Sequence, residues 1–244
     1  MLKFGKVIGC PVTASTLDEV ANEILLRAQR DDGGYVCVAN VHMLASARQD
    51  HDLREVIERA ALVTSDGMPL VWVLRRKGFR DAERVAGADL MDRLCRAAAA
   101  ERMPVYLYGG SEKNTSAMRK NMSDRYPTLI VAGCESPAEL PPRPPVDLDT
   151  VARIEKSGAG IVFVGLGCPK QEFWMASHVG RLKAVTIGVG AAFDFLAGSV
   201  QRAPVWMQRA GLEWLYRVTM EPKRLWKRYL VTNTLFLFYL LRYR

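Results

Sequence analysis

Six short runs of this chain are apolar at nearly every position, and each ends in a glycine or polar turn: GYVCVAN (34–40), ALVTSDG (61–67), PVYLYGG (104–110), LIVAG (129–133), AGIVFVGLG (159–167) and LKAVTIGVG (182–190). A strand with one wet face alternates apolar and polar residues. A strand apolar throughout is covered on both faces, which is the signature of a parallel sheet between layers of helices. The stretches between the runs have helical spacing. Ser15-Thr16 before Asp18-Glu19 is a capping-box start for a helix near 17–29, GADLMDRLCRAAAAERM (87–103) is rich in Ala and Leu, Ser111 opens SEKNTSAMRKNM, and KQEFWMASHVG follows the fifth run. Strands alternating with helices make βαβ units, so the expected fold is α/β, a mostly parallel sheet with helices on both faces. The proline-rich segment ESPAELPPRPPVD (135–147) reads as a surface loop inside one fold.

The charge is concentrated at one end. The chain of 244 residues carries a net charge of +8, and from Gln201 onward nine basic residues face only Glu213 and Glu221, so nearly all of the excess lies in the last 44 residues. Three of the five tryptophans (Trp206, Trp214, Trp226) lie there too, ahead of the apolar run Val231 to Leu241. That run is shorter than the ~18–20 residues needed to cross a bilayer but suits the headgroup layer. A basic segment with interleaved aromatics fits an anionic membrane surface or nucleic acid. The Leu235–Phe238 run favours the membrane, with a packing helix or a homo-oligomer contact as the alternative. The expected division is a core over 1–198 and a basic, amphipathic, membrane-docking appendage over 199–244. Arg217 and Arg224, seven residues apart, are expected to share a helix face.

The N-terminus lacks a signal-peptide core, and five scattered cysteines without a CxxC pair suggest reduced thiols; both point to the cytoplasm. The histidines have no metal-ligand spacing. No metal or cofactor is expected, and no nucleic-acid partner.

In open α/β sheets, ligands bind beyond the carboxyl ends of the strands. Here those ends carry Asn40, Ser65-Asp66-Gly67, Gly109-Gly110, Gly165-Leu166-Gly167 and Gly188-Val189-Gly190. Glycine turns running into helices offer backbone N–H groups to phosphate, but neither Gly-x-Gly pair completes a GxGxxG fingerprint, and the P-loop pattern is absent. Asp66 is the carboxylate placed to accept a proton from an attacking hydroxyl; capping the helix that begins near Met68 is its alternative role. Asp194 reads as a cap or a ligand contact, Gln171 as a first-turn residue or a ligand contact, and Arg84 as a phosphate partner or a surface arginine.

The stretches VANVHML, TSDGMPLVW, RVAGADL, YLYGG, VFVGLGCPKQEFWM, GVGAAFDFLAGSVQRAPVWMQRAGLEWLYR and EPKRLWKRYL together resemble the WecG/TagA/CpsF family of bacterial glycosyltransferases. The resemblance implies a Rossmann-like fold and inverting transfer of a sugar from a nucleotide-sugar donor, usually a UDP-sugar, to a polyprenyl-diphosphate-linked sugar, for exopolysaccharide, capsule or teichoic-acid synthesis. It implies an enzyme that works on the inner face of the cell membrane. It places the catalytic aspartate at Asp66 and substrate-binding positions at Asn40, Arg84, Gln171 and Asp194, to which the glycine turns add Gly109, Gly167 and Gly190. It places the tail arginines for the lipid diphosphate or membrane at Arg217 and Arg224, with Lys227 or Arg228. The family's threonine two residues before the asparagine is Val38 here, which leaves the donor sugar open, a sugar such as glucose being an alternative to N-acetylmannosamine. Two rival functions follow from the same sequence: a Rossmann nucleotide-sugar epimerase or dehydrogenase, which the missing fingerprint disfavours, and a non-catalytic membrane-surface scaffold, which leaves Asp66 and the glycine turns without a purpose.

Overall fold

The computed structural model describes residues 2–243; the side chain of Arg224 lies outside the described residues. The chain opens with β1 (Phe4–Val7) and β2 (Cys10–Thr13) and continues through α1 (Leu17–Gln29), β3 (Tyr35–Ala39), α2 (Val41–Ala47), α3 (His51–Arg59), β4 (Leu62–Ser65) and α4 (Met68–Arg76). Then come α5 (Gly87–Ala100), β5 (Val105–Gly109), α6 (Glu112–Arg125), β6 (Val131–Glu135), α7 (Leu148–Ser157), β7 (Ile161–Gly165), α8 (Lys170–His178) and β8 (Val185–Gly188). The last helices are α9 (Ala192–Ala197), α10 (Val205–Arg209), α11 (Glu213–Met220) and α12 (Pro222–Arg242).

β3 to β8 form one sheet in the order β4-β3-β8-β7-β5-β6, with every neighbouring pair parallel. Alternate residues of β3, β4, β5 and β7 feed two cores. On one face, Cys37, Ala39, Tyr106, Tyr108, Val162 and Val164 pack with Met43, Leu53, Leu70 and Trp174 of the helices. On the other, Val36, Val38, Leu107, Ile161 and Phe163 pack with Ile24, Leu94, Met122 and Phe193. This double burial, worth roughly 1.5–3 kcal/mol for each large apolar side chain, is why the strand sequences are apolar at consecutive positions.

α1 begins where the capping box predicts: the Thr16 hydroxyl accepts from the Glu19 N–H, and the Glu19 carboxylate accepts from the Thr16 N–H. The sequence reading has no counterpart for the antiparallel β1–β2 hairpin. Its strands are four residues each, and its turn is Ile8-Gly9, both at positive φ. α3 and α7 likewise have no counterpart among the expected helices; each is capped by an aspartate, Asp50 and Asp147.

The basic C-terminal segment breaks at Glu221-Pro222. Arg217 therefore belongs to α11 and Arg224 to α12, and the shared face expected from their spacing does not form because no single helix carries both. α12 packs along α2 and α11, with Leu225 and Phe236 buried and Tyr239 and Leu240 against the first core. Among the described residues no helix is long and apolar enough to cross a membrane.

Candidate active site

The carboxyl ends of β3 and β4 set the site. The two strands pair with Ala39 opposite Ser65, and the Asp66 N–H donates to the Ala39 carbonyl at 2.8 Å, so Asn40 and Asp66 leave the sheet side by side. Asn40 is the N-cap of α2; its Oδ1 accepts from the Met43 N–H at 3.1 Å. That use of the oxygen leaves the amide nitrogen to donate to the Asp66 carboxylate, with which the Asn40 side chain hydrogen-bonds. Asp66 does not cap α4: the N-cap position is Gly67, and no side chain bonds there.

Both residues open into a cavity of about 840 Å³ above the sheet. Its floor is made by the strand ends: Asn40, Asp66, Gly110, Gly165 to Cys168 and Gly188 to Asp194. Its wall on the other side comes from the C-terminal segment, including Trp214, Arg217, Arg228, Phe236 and Leu240. Of the sequence-selected residues, Asn40, Asp66, Arg84, Gly167, Gln171, Gly190, Asp194, Arg217 and Arg228 line this one space. Val38 lines it as well, an apolar wall where the family pattern has a hydroxyl.

Two selected residues lie elsewhere. Gly109 is not on the wall. It stands at φ +116°, and a Cβ there would come within 2.7 Å of the Gly165 carbonyl, so its glycine serves the close approach of β5 to β7. Lys227 is exposed on α12, away from the cavity. The side chain of Arg224 lies outside the described residues.

Burial pushes the Asp66 carboxyl up to about 6 from an ordinary 3.8, and Glu213 adds to the rise; Arg84, the Asn40 hydrogen bond and Arg217 oppose it. Arg84 is no surface arginine. It is largely buried and pairs with Asp89 at 3.1 Å and Glu213 at 2.9 Å, and it donates to Gln208. Arg202 grips Asp89 through both terminal nitrogens, at 2.6 and 2.7 Å. Asp89, Arg202, Gln208 and Glu213 are thus site residues that sequence reasoning missed. All four lie within the motifs that carry the family resemblance, but their pairing spans more than a hundred positions.

Arg217 and Arg228 face the cavity with their Nε groups unpartnered, and among the described residues neither forms an ion pair. They offer positive charge to an anion. His42, beside Arg228, is held down at about 4 by burial and that arginine, and is neutral at physiological pH. Asp194 is within 3.5 Å of the Asn114 amide. Among the described residues, no three His, Cys, Asp or Glu side chains gather to hold a metal ion.

Such a site, with one raised carboxylate beside glycine turns and unpaired arginines, can deprotonate a hydroxyl next to a bound phosphate group. A family model described as "Glycosyl transferase WecG/TagA/CpsF family" matches residues 5–244. The chain is also similar to the N-acetylglucosaminyldiphosphoundecaprenol N-acetyl-beta-D-mannosaminyltransferase of Bacillus subtilis (strain 168), at 32% identity over 200 residues, covering 81% of this chain and 75% of that protein. The site geometry and the near-complete match lead to one conclusion: the chain belongs to the WecG/TagA/CpsF family and is a glycosyltransferase.

Proposed function

We propose that this enzyme transfers a sugar, with inversion, from a nucleotide-sugar donor (a UDP-sugar) to a sugar carried on polyprenyl diphosphate, with Asp66 as general base. The observation that carries this reading is the Asn40–Asp66 pair at the floor of the cavity. Asp66 is tied in place by a neighbour, is not spent on a helix cap, and has a proton affinity raised to about 6. A base of that strength is still ionised at pH 7 yet stronger than an ordinary aspartate. Asp66 takes the proton of the acceptor hydroxyl as its oxygen attacks the anomeric carbon. The bond to the nucleotide diphosphate breaks on the opposite face, and the departing electron pair stays on the diphosphate. Glycine-turn N–H groups and the unpaired Arg217 and Arg228 are suited to that growing charge. We propose no metal in this step.

The relative's name puts its acceptor sugar on diphosphoundecaprenol, which supports a polyprenyl-linked acceptor here. Its mannosaminyl donor is one candidate for this chain, and the Val38 wall is a reason to test others. We assign the product to cell-surface polysaccharide synthesis of the exopolysaccharide, capsule or teichoic-acid type.

A lipid-borne acceptor requires the enzyme to work at a membrane, and we assign that role to the segment 199–244. Leu230, Val231, Leu237, Phe238 and Leu241 are exposed on α12, with Trp226. At 100° per residue they fall within an arc of roughly 140°, opposite buried Leu225 and Phe236. Exposed Lys223 and Lys227 share the arc. An apolar stripe with lysines at its N-terminal end suits an anionic leaflet on the cytoplasmic side. The test is a transfer assay with purified protein, a panel of UDP-sugars and a short-chain polyprenyl-diphosphate acceptor, with the anomeric configuration of the product read by NMR. A product of retained configuration, or no transfer from any member of the panel, contradicts the proposal.

A further inference from the structure

Gln171 and Glu172 open α8 next to the cavity, and both are almost fully buried, at 3% and 0% exposure. The Gln171 amide nitrogen donates to Glu172 Oε1 at 2.7 Å. Gln171 Oε1 is buried with no partner, and so is Glu172 Oε2. The carboxamide lies against Gly188 and Gly190 on the cavity floor. A Cβ on Gly188 would come within 2.8 Å of the amide nitrogen, so only glycine there admits it. A buried, unpaired amide oxygen is costly unless something donates to it. Gln171 lines the ligand cavity, so a ligand is the available donor.

An ionised carboxylate accepts hydrogen bonds and cannot donate them. Ionised Glu172 therefore permits only one orientation of the amide beside it, whereas its protonated form could donate to the amide oxygen and permit the other. We propose that Glu172 is a positioning residue: its buried carboxylate turns the nitrogen of the Gln171 carboxamide inward, so that the cavity receives an oxygen that accepts from an amide-type N–H of the sugar nucleotide. This rests on the nucleotide-sugar reading above. Two parts of a UDP-sugar carry such an N–H, the uracil imide and a sugar acetamido group. Without Glu172's charge, the carboxamide is free to present its nitrogen instead, and the selection for an N–H is lost. The neighbouring ionisable groups do not compete for this role. The Cys37 and Cys168 thiols are pushed well up by burial and add no charge beside Glu172 at neutral pH.

The test, run at pH 8 where the Glu172 carboxyl is largely ionised, measures binding of three ligands to the full-length enzyme by calorimetry: a UDP-N-acetylhexosamine, the CDP form of the same sugar, and the UDP-hexose with a hydroxyl in place of the acetamido group. Cytosine has a bare acceptor at N3 where uracil has an N–H. Wild-type enzyme is expected to bind one of the two analogues about tenfold or more weakly, which identifies the N–H that Gln171 reads. Glu172→Gln keeps the side-chain shape, and with it that ratio is expected to fall towards one, the loss in assays appearing in KM rather than kcat. Wild type binding both analogues as tightly as the parent overturns the proposal, as does Glu172→Gln with the full ratio retained. Should Glu172→Gln not fold, Gln171→Met takes its place: discrimination unchanged in that variant overturns the proposal. Failure to bind the parent UDP-sugar at all removes the nucleotide-sugar reading itself, and the two failures are thereby told apart.

Discussion

The Asn40 carboxamide serves two partners at once: its oxygen caps α2 through the Met43 N–H, and its side chain hydrogen-bonds the Asp66 carboxylate. One residue therefore fixes both the start of a helix and the position of the proposed base. Asn40→Asp separates the two duties. Aspartate caps as well as asparagine, so stability should change little at pH 4, where Asp66 is protonated, and fall at pH 8, where two neighbouring carboxylates repel. A second carboxylate in place of a donor favours the proton on Asp66, so the acid limb of the pH–rate profile should move to higher pH. Chemical denaturation and a pH series of kcat check both.

Glu213→Gln should move the same limb the other way. Glu213 raises the proton affinity of Asp66 and also pairs with Arg84. Removing its charge takes away a repulsion and leaves Arg84 less neutralised, and both changes favour ionised Asp66. The acid limb should fall by up to about one pH unit. A limb that stays in place would mean that Glu213 does not act on the base.

Glu172 yields a prediction about stability. Burial pushes its carboxyl up to about 7 from an ordinary 4.5, so the folded chain holds this proton more tightly than the unfolded chain does. Folding stability is therefore lost as pH rises from about 4.5 to about 7, and the loss is complete above that. Glu172→Gln, which has no charge to desolvate, should raise Tm at pH 8 and change it little at pH 4.5. Paired melting curves at the two pH values check this.

The outward face of α12 can be tested without touching the cavity. Phe238 and Leu241 are 57% and 68% exposed and do not line it. Phe238→Asp with Leu241→Asp should weaken cosedimentation with anionic vesicles about tenfold or more while leaving transfer to a water-soluble acceptor intact. Truncation after residue 198 is a poorer probe, because it also removes buried Leu225 and Phe236 and the Arg217 and Glu213 side of the site. Undiminished binding by the double variant would contradict membrane docking through this face.

How much the sequence disclosed follows the range of the forces involved. The central strands were legible because burial on both faces leaves them apolar throughout, as in VYLYG and IVFVG. α1 was legible because its capping box is local. The hairpin was not, since FGKV and CPVT are too short to show a period. Asp66 could be singled out because a strand end fixes where its side chain emerges. The role of Arg84 could not, because Glu213 and Gln208 reach it only when α10 and α11 fold back over the sheet. The same holds for the C-terminal segment: its charge and apolar run were plain, but the break at Pro222 and the burial of Phe236 depend on what it packs against.

The proposed base is tested most directly by measuring kcat against pH for wild type and Asp66→Asn with purified donor and lipid acceptor. Wild type should lose rate tenfold per pH unit below about 6, where Asp66 takes up its proton. Asp66→Asn should fold normally and lose roughly 10²–10⁴-fold in kcat at every pH, with that limb gone. Near-wild-type turnover in Asp66→Asn, or a limb near pH 6 that survives the substitution, would contradict the assignment of Asp66 as the base.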